Sequence, residues 1–157
     1  MLKKRIFEIF FVFSIFIIDR ISKFIIVSLS EPLGELNIYV TSFLNFNLLW
    51  NRGIAFGFLS FEKIFYYNLI TLIIVLITLV ITWTSIKSEG LEKKGFLMIV
   101  GGSTGNIFDR LYYSSVIDFI DINVNNFHWF IFNVADIFIS LGVIVLISVE
   151  FLKIKKK

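Results

Sequence analysis

The 157-residue sequence contains no cysteine. Disulfides, thiolate metal sites and cysteine nucleophiles are therefore excluded. A single histidine, His128, excludes a multi-histidine metal centre. Proline occurs once, no internal repeat is present, and no low-complexity tail extends beyond the terminal lysines. The formal net charge is +3, too small to argue for a nucleic-acid partner.

What is present is apolar. Hydrophobic residues make up 57% of the chain, and the mean hydropathy is +0.88. A soluble domain of this length would be less apolar. The 20 phenylalanines carry little weight alone, because a Phe, Ile, Asn and Lys bias can reflect base composition. The length suits one unit, so residues 1–157 are expected to form a single integral-membrane domain. Met1-Leu2-Lys3-Lys4-Arg5 followed by apolar residues imitates a signal peptide. The apolar run continues past Ile18 through Asp19 without a small-x-small cleavage site, so it reads as a retained first membrane helix.

A membrane-spanning helix needs about 20 mostly apolar residues. Residues 64–86 carry no charge at all. Residues 6–29 form a second such stretch, interrupted by Glu8, Asp19, Arg20 and Lys23. Residues 95–113 and 133–152 complete a set of four. Four spans put both termini on one side. Lys3, Lys4 and Arg5, then Lys87, Lys93 and Lys94, then Lys153, Lys155, Lys156 and Lys157 hold ten of the fifteen Lys and Arg residues. All fall on one face, which the positive-inside rule makes cytoplasmic. The loops at about 30–62 and 114–132 then lie outside.

Those loops are not ordinary linkers. In Leu44-Asn45-Phe46-Asn47-Leu48-Leu49-Trp50-Asn51, apolar residues recur at every second position, the period of a half-buried strand. Residues 114–132 alternate in part, then turn aromatic at Phe127, Trp129, Phe130 and Phe132. Aromatic residues favour the membrane–water boundary, so a small sheet resting on the outer leaflet is expected.

Polar groups interrupt the spans at few places. Asp19 and Lys23, spaced i, i+4, share a helix face and can pair inside a bundle. Arg20 lies on another face and is free to snorkel outward. Gly101 and Gly105 are four apart, a spacing that lets helices approach closely. Asn106, Asp109 and Arg110 follow on the outer half of the same helix and need polar partners there. Their spacing fits support of a site or specification of the fold. Asn51-Arg52-Gly53-Ile54-Ala55-Phe56-Gly57 reads as a strand-ending turn, and a lone His128 among aromatics reads as structural.

The two most costly groups are Asp118 and Asp136. A carboxylate beside lipid costs about 2.5–3.5 kcal/mol or more near the bilayer centre. Asp118 falls just beyond the third span and Asp136 one turn into the fourth. If the intervening loop folds back, the two can face each other. Paired carboxylates cannot both ionise easily, so one keeps a proton. The ionised one can take a proton from an attacking water, and the protonated one can polarise a carbonyl and protonate a leaving amine. Spacing alone also leaves open separate structural or ion-pathway roles.

Five blocks in order carry a family resemblance. They are Asp19-Arg20-Ile21-Ser22-Lys23, Asn51-Arg52-Gly53-Ile54-Ala55-Phe56, Gly101-Gly102-Ser103-Thr104-Gly105-Asn106-Ile107-Phe108-Asp109-Arg110, Val116-Ile117-Asp118-Phe119 and Phe132-Asn133-Val134-Ala135-Asp136. On these blocks the chain resembles the lipoprotein signal peptidases, membrane-embedded aspartic peptidases of bacteria. The resemblance implies that Asp118 and Asp136 are the catalytic dyad. It implies that Asn106, Arg110 and Asn133 line or support the site. Asn51 and Gly53 match the outer-loop motif of the substrate cradle, and Asp19 and Lys23 the polar pair of the first helix. The implied substrate is a prolipoprotein whose future N-terminal Cys carries diacylglycerol, cleaved on the amino side of that Cys. No metal or organic cofactor is implied. A monomer in the bacterial cytoplasmic membrane is implied, among membrane lipids. Arg20 stands where Gln is common in the family, and Ser103 where Ala is common.

Two other readings are distinguishable. Ser103 with His128 could serve an intramembrane serine protease, but the aspartates would then be unexplained. Asp19, Lys23, Asp109 and Arg110 could line a small transporter or proton-conducting bundle, but paired half-repeats with interrupted helices are missing.

Overall fold

The computed structural model describes residues 2–30, 36–53, 64–124 and 127–154. Ile54, Ala55 and Phe56 of the second motif block, the side chains of residues 124–129 (Trp129 and His128 among them) and lysines 155–157 lie outside the described residues.

The described residues form four helices: α1 (Leu2–Ser30), α2 (Ile64–Lys87), α3 (Gly90–Tyr113) and α4 (Val134–Ile154). Between them run β1 (Asn37–Thr41), β2 (Leu44–Asn51), β3 (Val116–Val124) and β4 (Phe127–Phe132). The strands form one antiparallel sheet in the order β1-β2-β3-β4. The expected strand at 44–51 is β2, and the alternating stretch after α3 is the β3–β4 hairpin. Its alternation is less clean than the sequence implies. A register shift between Phe46 and Leu49 leaves Leu49 and Trp50 exposed and turns Asn51 inward. The extra residue of a bulge re-aims the side chains that follow it.

Two helices, α2 and α4, are long and apolar enough to cross a membrane by length and composition. α1 and α3 have the length, 29 and 24 residues, but carry the ionic groups. The bundle is inside-out relative to a soluble protein. Phe10, Phe24, Ile64, Leu79 and Phe151 are exposed, whereas Asp19, Lys23, Asn106, Asp109 and Arg110 are buried. Water would not favour that distribution; a hydrocarbon solvent does.

α3 is the central helix, against which α1, α2 and α4 all pack. Its glycines set the distances. A Cβ on Gly101 would meet Ile15 of α1 at 2.9 Å, and one on Gly105 would lie 2.5 Å from Asp19 Oδ2. Gly102 faces the Ala135 carbonyl of α4 instead, and Gly95 and Gly142 admit each other's backbone. The small-residue spacing therefore serves two helix neighbours on two faces.

At one end of the bundle, Lys93 pairs with Glu8 at 3.0 Å and Lys153 with Glu92 at 2.7 Å. At the other end, Ile26, Leu36, Ile117 and Phe119 form a small core that docks the sheet on α1. α3 stops there at Ser114, whose φ of 55° is left-handed and reverses the chain into β3.

Candidate active site

Asp118 comes from β3 and Asp136 from the first turn of α4. Both line one cavity of about 480 Å³, together with Asn51, Ser103, Asn106 and Arg110. Its remaining wall is mostly apolar, from Ile74 of α2, Val116 of β3 and Ile139, Val143 and Ile144 of α4, with Ser140 beside them.

The hydrogen bonds on Asp118 begin with local structure. Asn133 precedes α4, and its Oδ1 accepts from the Asp136 backbone N–H at 3.0 Å. Asp136 Oδ2 accepts in return from the Asn133 N–H at 3.2 Å. This reciprocal capping satisfies two otherwise orphaned donors. It also fixes the Asn133 amide, because its oxygen is taken. The amide nitrogen then points away and donates to Asp118 Oδ1 at 2.5 Å. Asn51 repeats the device. Its Oδ1 accepts from the Gly53 N–H at 2.8 Å, and its Nδ2 donates to Asp118 Oδ2 at 2.7 Å. The register pairs Asn51 with Val116 and Leu49 with Asp118, so Asn51 reaches the carboxylate as a diagonal cross-strand neighbour.

Asn106 serves Asp136 in the same manner. Lys23 Nζ donates to Asn106 Oδ1 at 3.0 Å, which turns Asn106 Nδ2 onto Asp136 Oδ1 at 2.8 Å. Arg110 stays buried over the cavity, bound to the carbonyls of Asn106 at 3.2 Å and Gly53 at 3.4 Å. It joins α3 to the end of β2.

Asp19 and Lys23 do not line the cavity among the described residues; they act beneath it. Lys23 bridges Asp19 at 3.1 Å and Asp109 at 2.7 Å. Asp19 Oδ1 accepts from the Ala135 N–H at 3.0 Å, and Asp109 Oδ2 from the Ile117 N–H at 3.3 Å. Each is the residue immediately before one of the two aspartates. One buried ion network thus holds the backbone on both sides of the site. Arg20 belongs to it, which corrects the outward reading. Its guanidinium binds Asp109 at 2.5 Å and Asp19 at 2.7 Å. It also lies 4.9 Å from the Phe108 ring. Two buried carboxylates and an aromatic face outweigh the pull of the lipid boundary. Arg20 and Asp109 are the supporting residues that the motif reading underweighted. For Asp109 the signal was present, three residues after Asn106 on the same helix face.

Burial pushes the Asp118 carboxyl up to about 7, and the neighbouring Asp136 charge adds to this. The Asn51 and Asn133 donors and the Lys23 charge oppose it. A carboxyl poised near neutrality can exchange a proton during a reaction. Ser103 also lines the cavity, while the side chain of His128 lies outside the described residues. Among the described residues no cluster of three or more His, Cys, Asp or Glu side chains is arranged to hold a metal ion.

Comparisons with known proteins agree along most of the chain. The sequence model of signal peptidase II matches residues 11–152. The lipoprotein signal peptidase of Pelagibacter ubique is 46% identical over 143 residues, covering 91% of this chain and 86% of that one. That of Anaplasma phagocytophilum is 35% identical over 156 residues, covering 97% and 96%. A solved structure described as a bacterial membrane enzyme, at 2.3 Å resolution, superposes with a TM-score of 0.78 at 28% identity, covering 96% of this chain and 90% of that chain. A second of the same description gives 0.73, with 90% of each chain covered. With an inside-out bundle, a buried and a half-buried aspartate in one cavity and a family match over nearly all of its length, the chain belongs to the signal peptidase II family, the bacterial membrane peptidases that remove signal peptides from lipoproteins.

Proposed function

We propose that the chain is an aspartic endopeptidase in which Asp118 and Asp136 form the catalytic dyad. The observation that carries this reading is the pair of aspartates on one cavity wall, with amide donors whose orientation is fixed. The ionised carboxylate takes a proton from water as the water attacks the scissile carbonyl. The protonated carboxyl polarises that carbonyl oxygen, then passes its proton to the leaving amine. Asn51, Asn133 and Asn106 hold the two groups in line, and Arg110 with Gly53 closes the β2 side of the cavity. The dyad's apparent pKa values belong to the pair.

The substrate is a diacylglyceryl-modified prolipoprotein, cleaved on the amino side of its lipidated Cys. The apolar wall from α2 and α4 suits a lipid and an apolar signal helix beside the dyad. All four helices span the membrane as one domain. The ionic groups of α1 and α3 are compensated inside the bundle, as charges at membrane depth must be. The lysine-rich end is cytoplasmic with both termini, and the sheet and dyad face outward.

The test is cleavage of a lipidated precursor by the wild type and by Asp118→Asn and Asp136→Asn separately. Each variant keeps size and loses an ionisable carboxyl group. Each is expected to lose turnover while staying folded, and an unlipidated precursor should be a poor substrate. Near-normal turnover in either variant removes that aspartate from the dyad.

A further inference from the structure

A second cavity, about 830 Å³, lies away from the aspartates, between α1 and α2 with α3 as its floor. α1 and α2 both pack on α3 and leave a groove between themselves. Along α1 it runs from Lys4 to Phe16, and along α3 from Lys93 to Thr104. At 1.5 Å per residue both stretches are about 17 Å long, close to the hydrocarbon depth of one leaflet, which is about 15 Å.

The hydroxyl protons of the groove interior are not available to a ligand. They are spent on their own helices: Thr82 donates to the Thr78 carbonyl at 2.8 Å, Ser85 to Thr82 at 2.7 Å, and Thr104 to Gly101 at 2.8 Å. The charge sits at the mouth. There Lys93 is neutralised by Glu8 at 3.0 Å, and Lys4 and Arg5 stand against Glu89, leaving a net positive rim. A bacterial signal peptide also begins with positive charge, so its start would be repelled from this rim. An anionic head group with apolar chains fits both parts.

We propose that this groove is a binding site for an anionic phospholipid of the cytoplasmic leaflet, with its acyl chains between α1 and α2 and its phosphate at Lys4 and Arg5. The choice of leaflet rests on the topology proposed above; the site itself does not. Occupancy would fill the space between two helices that barely touch, and so brace α1, which carries Asp19 and Lys23 beneath the dyad.

The experiment places the purified protein in nanodiscs of equimolar phosphatidylglycerol and phosphatidylcholine with identical chains. Native mass spectrometry then reads which lipid stays bound. Preferential retention of phosphatidylglycerol is expected, falling about fivefold for each cation removed in Lys4→Gln and Arg5→Gln. Val12→Trp, which fills the groove, should reduce retention of both lipids, and Leu97→Phe offers a milder filling. The unfolding midpoint of each variant in lipid-free detergent serves as the folding control, and none of these residues lines the cavity of the aspartates. Equal retention of the two lipids by the wild type, or unchanged retention in the double charge variant, overturns the site. Displacement of the lipid by a synthetic signal peptide overturns it in favour of substrate docking. Because both leaflets of the nanodisc are alike, retention does not depend on topology. Labelling of Ser88→Cys in intact cells tests topology separately.

Discussion

Replacing Asp118 by Asn should make the folded protein more stable at high pH and less stable at low pH. The Asp118 side chain is 2% exposed and ionises at about 7 in place of 3.8. Between those values the folded chain keeps a proton that the unfolded chain has lost. Stability therefore falls as pH rises from about 4 to about 7 and is level above that. The interval corresponds to about 4 kcal/mol of cost for the buried charge. Asparagine cannot ionise and escapes that cost. It introduces another, because its amide nitrogen must face one of two donors, Asn51 Nδ2 or Asn133 Nδ2, whose own oxygens are held by Gly53 and Asp136. A lost hydrogen bond with a donor left unmatched costs about 1–3 kcal/mol. The net expectation is a gain of about 1–3 kcal/mol at pH 8.5, and a loss of about 1–3 kcal/mol near pH 3.5, where neither state has yet ionised much. The assay is equilibrium unfolding in mixed detergent–SDS micelles, followed by the fluorescence of the three tryptophans. In an Asp136→Asn background the pH-dependent part should shrink, because a repelling charge is gone. A stability difference that is the same at both pH values would refute the reasoning, since it would mean that Asp118 carries no raised ionisation in the fold.

Turnover of the wild type should fall as pH rises through about 7, where the dyad loses its shared proton, and a rate that stays level to pH 9 would contradict this. Asn51→Leu removes a donor that favours the ionised form, so that limb should move up by about one pH, equivalent to about 1.4 kcal/mol. Gly105→Ala places a methyl group 2.5 Å from Asp19 Oδ2 and should cost about 1–3 kcal/mol in the same unfolding assay. Lys23→Met leaves Asp19 and Asp109 with Arg20 as their remaining cation. It should cost about 3–5 kcal/mol, and it also frees the Asn106 amide, so turnover should drop through kcat rather than KM.

Much of the architecture was legible because it is local. The charge-free run beginning at Ile64 predicts α2 to within a residue of its end at Lys87. The alternation from Leu44 to Asn51 predicts β2 with the observed bounds. The motif blocks named the residues that the fold brings to one cavity: Asn51, Asn106, Arg110, Asp118 and Asp136. Arg20 departs from the outward expectation because its side chain is long enough to reach Asp19 beside it on α1 and Asp109 on α3, a partner that spacing along one helix does not reveal. The orientation of three amides was not legible at all. Asn51 and Asn133 are oriented by backbone N–H groups two and three residues on, at Gly53 and Asp136, once the chain turns there, and Asn106 by Lys23 from α1.

The sequence by itself determined four helices, a membrane-like composition and two aspartates too costly to be idle, because hydropathy and period are properties of neighbouring residues. The tertiary structure alone decided what those aspartates can do. The ionisation of Asp118 depends on burial, on Asp136 and on donors from β2 and the start of α4. Those groups stand 67 and 15 residues away along the chain. A carboxyl poised near neutrality is therefore a property of the folded cavity, since desolvation and hydrogen-bond direction exist only once the elements meet.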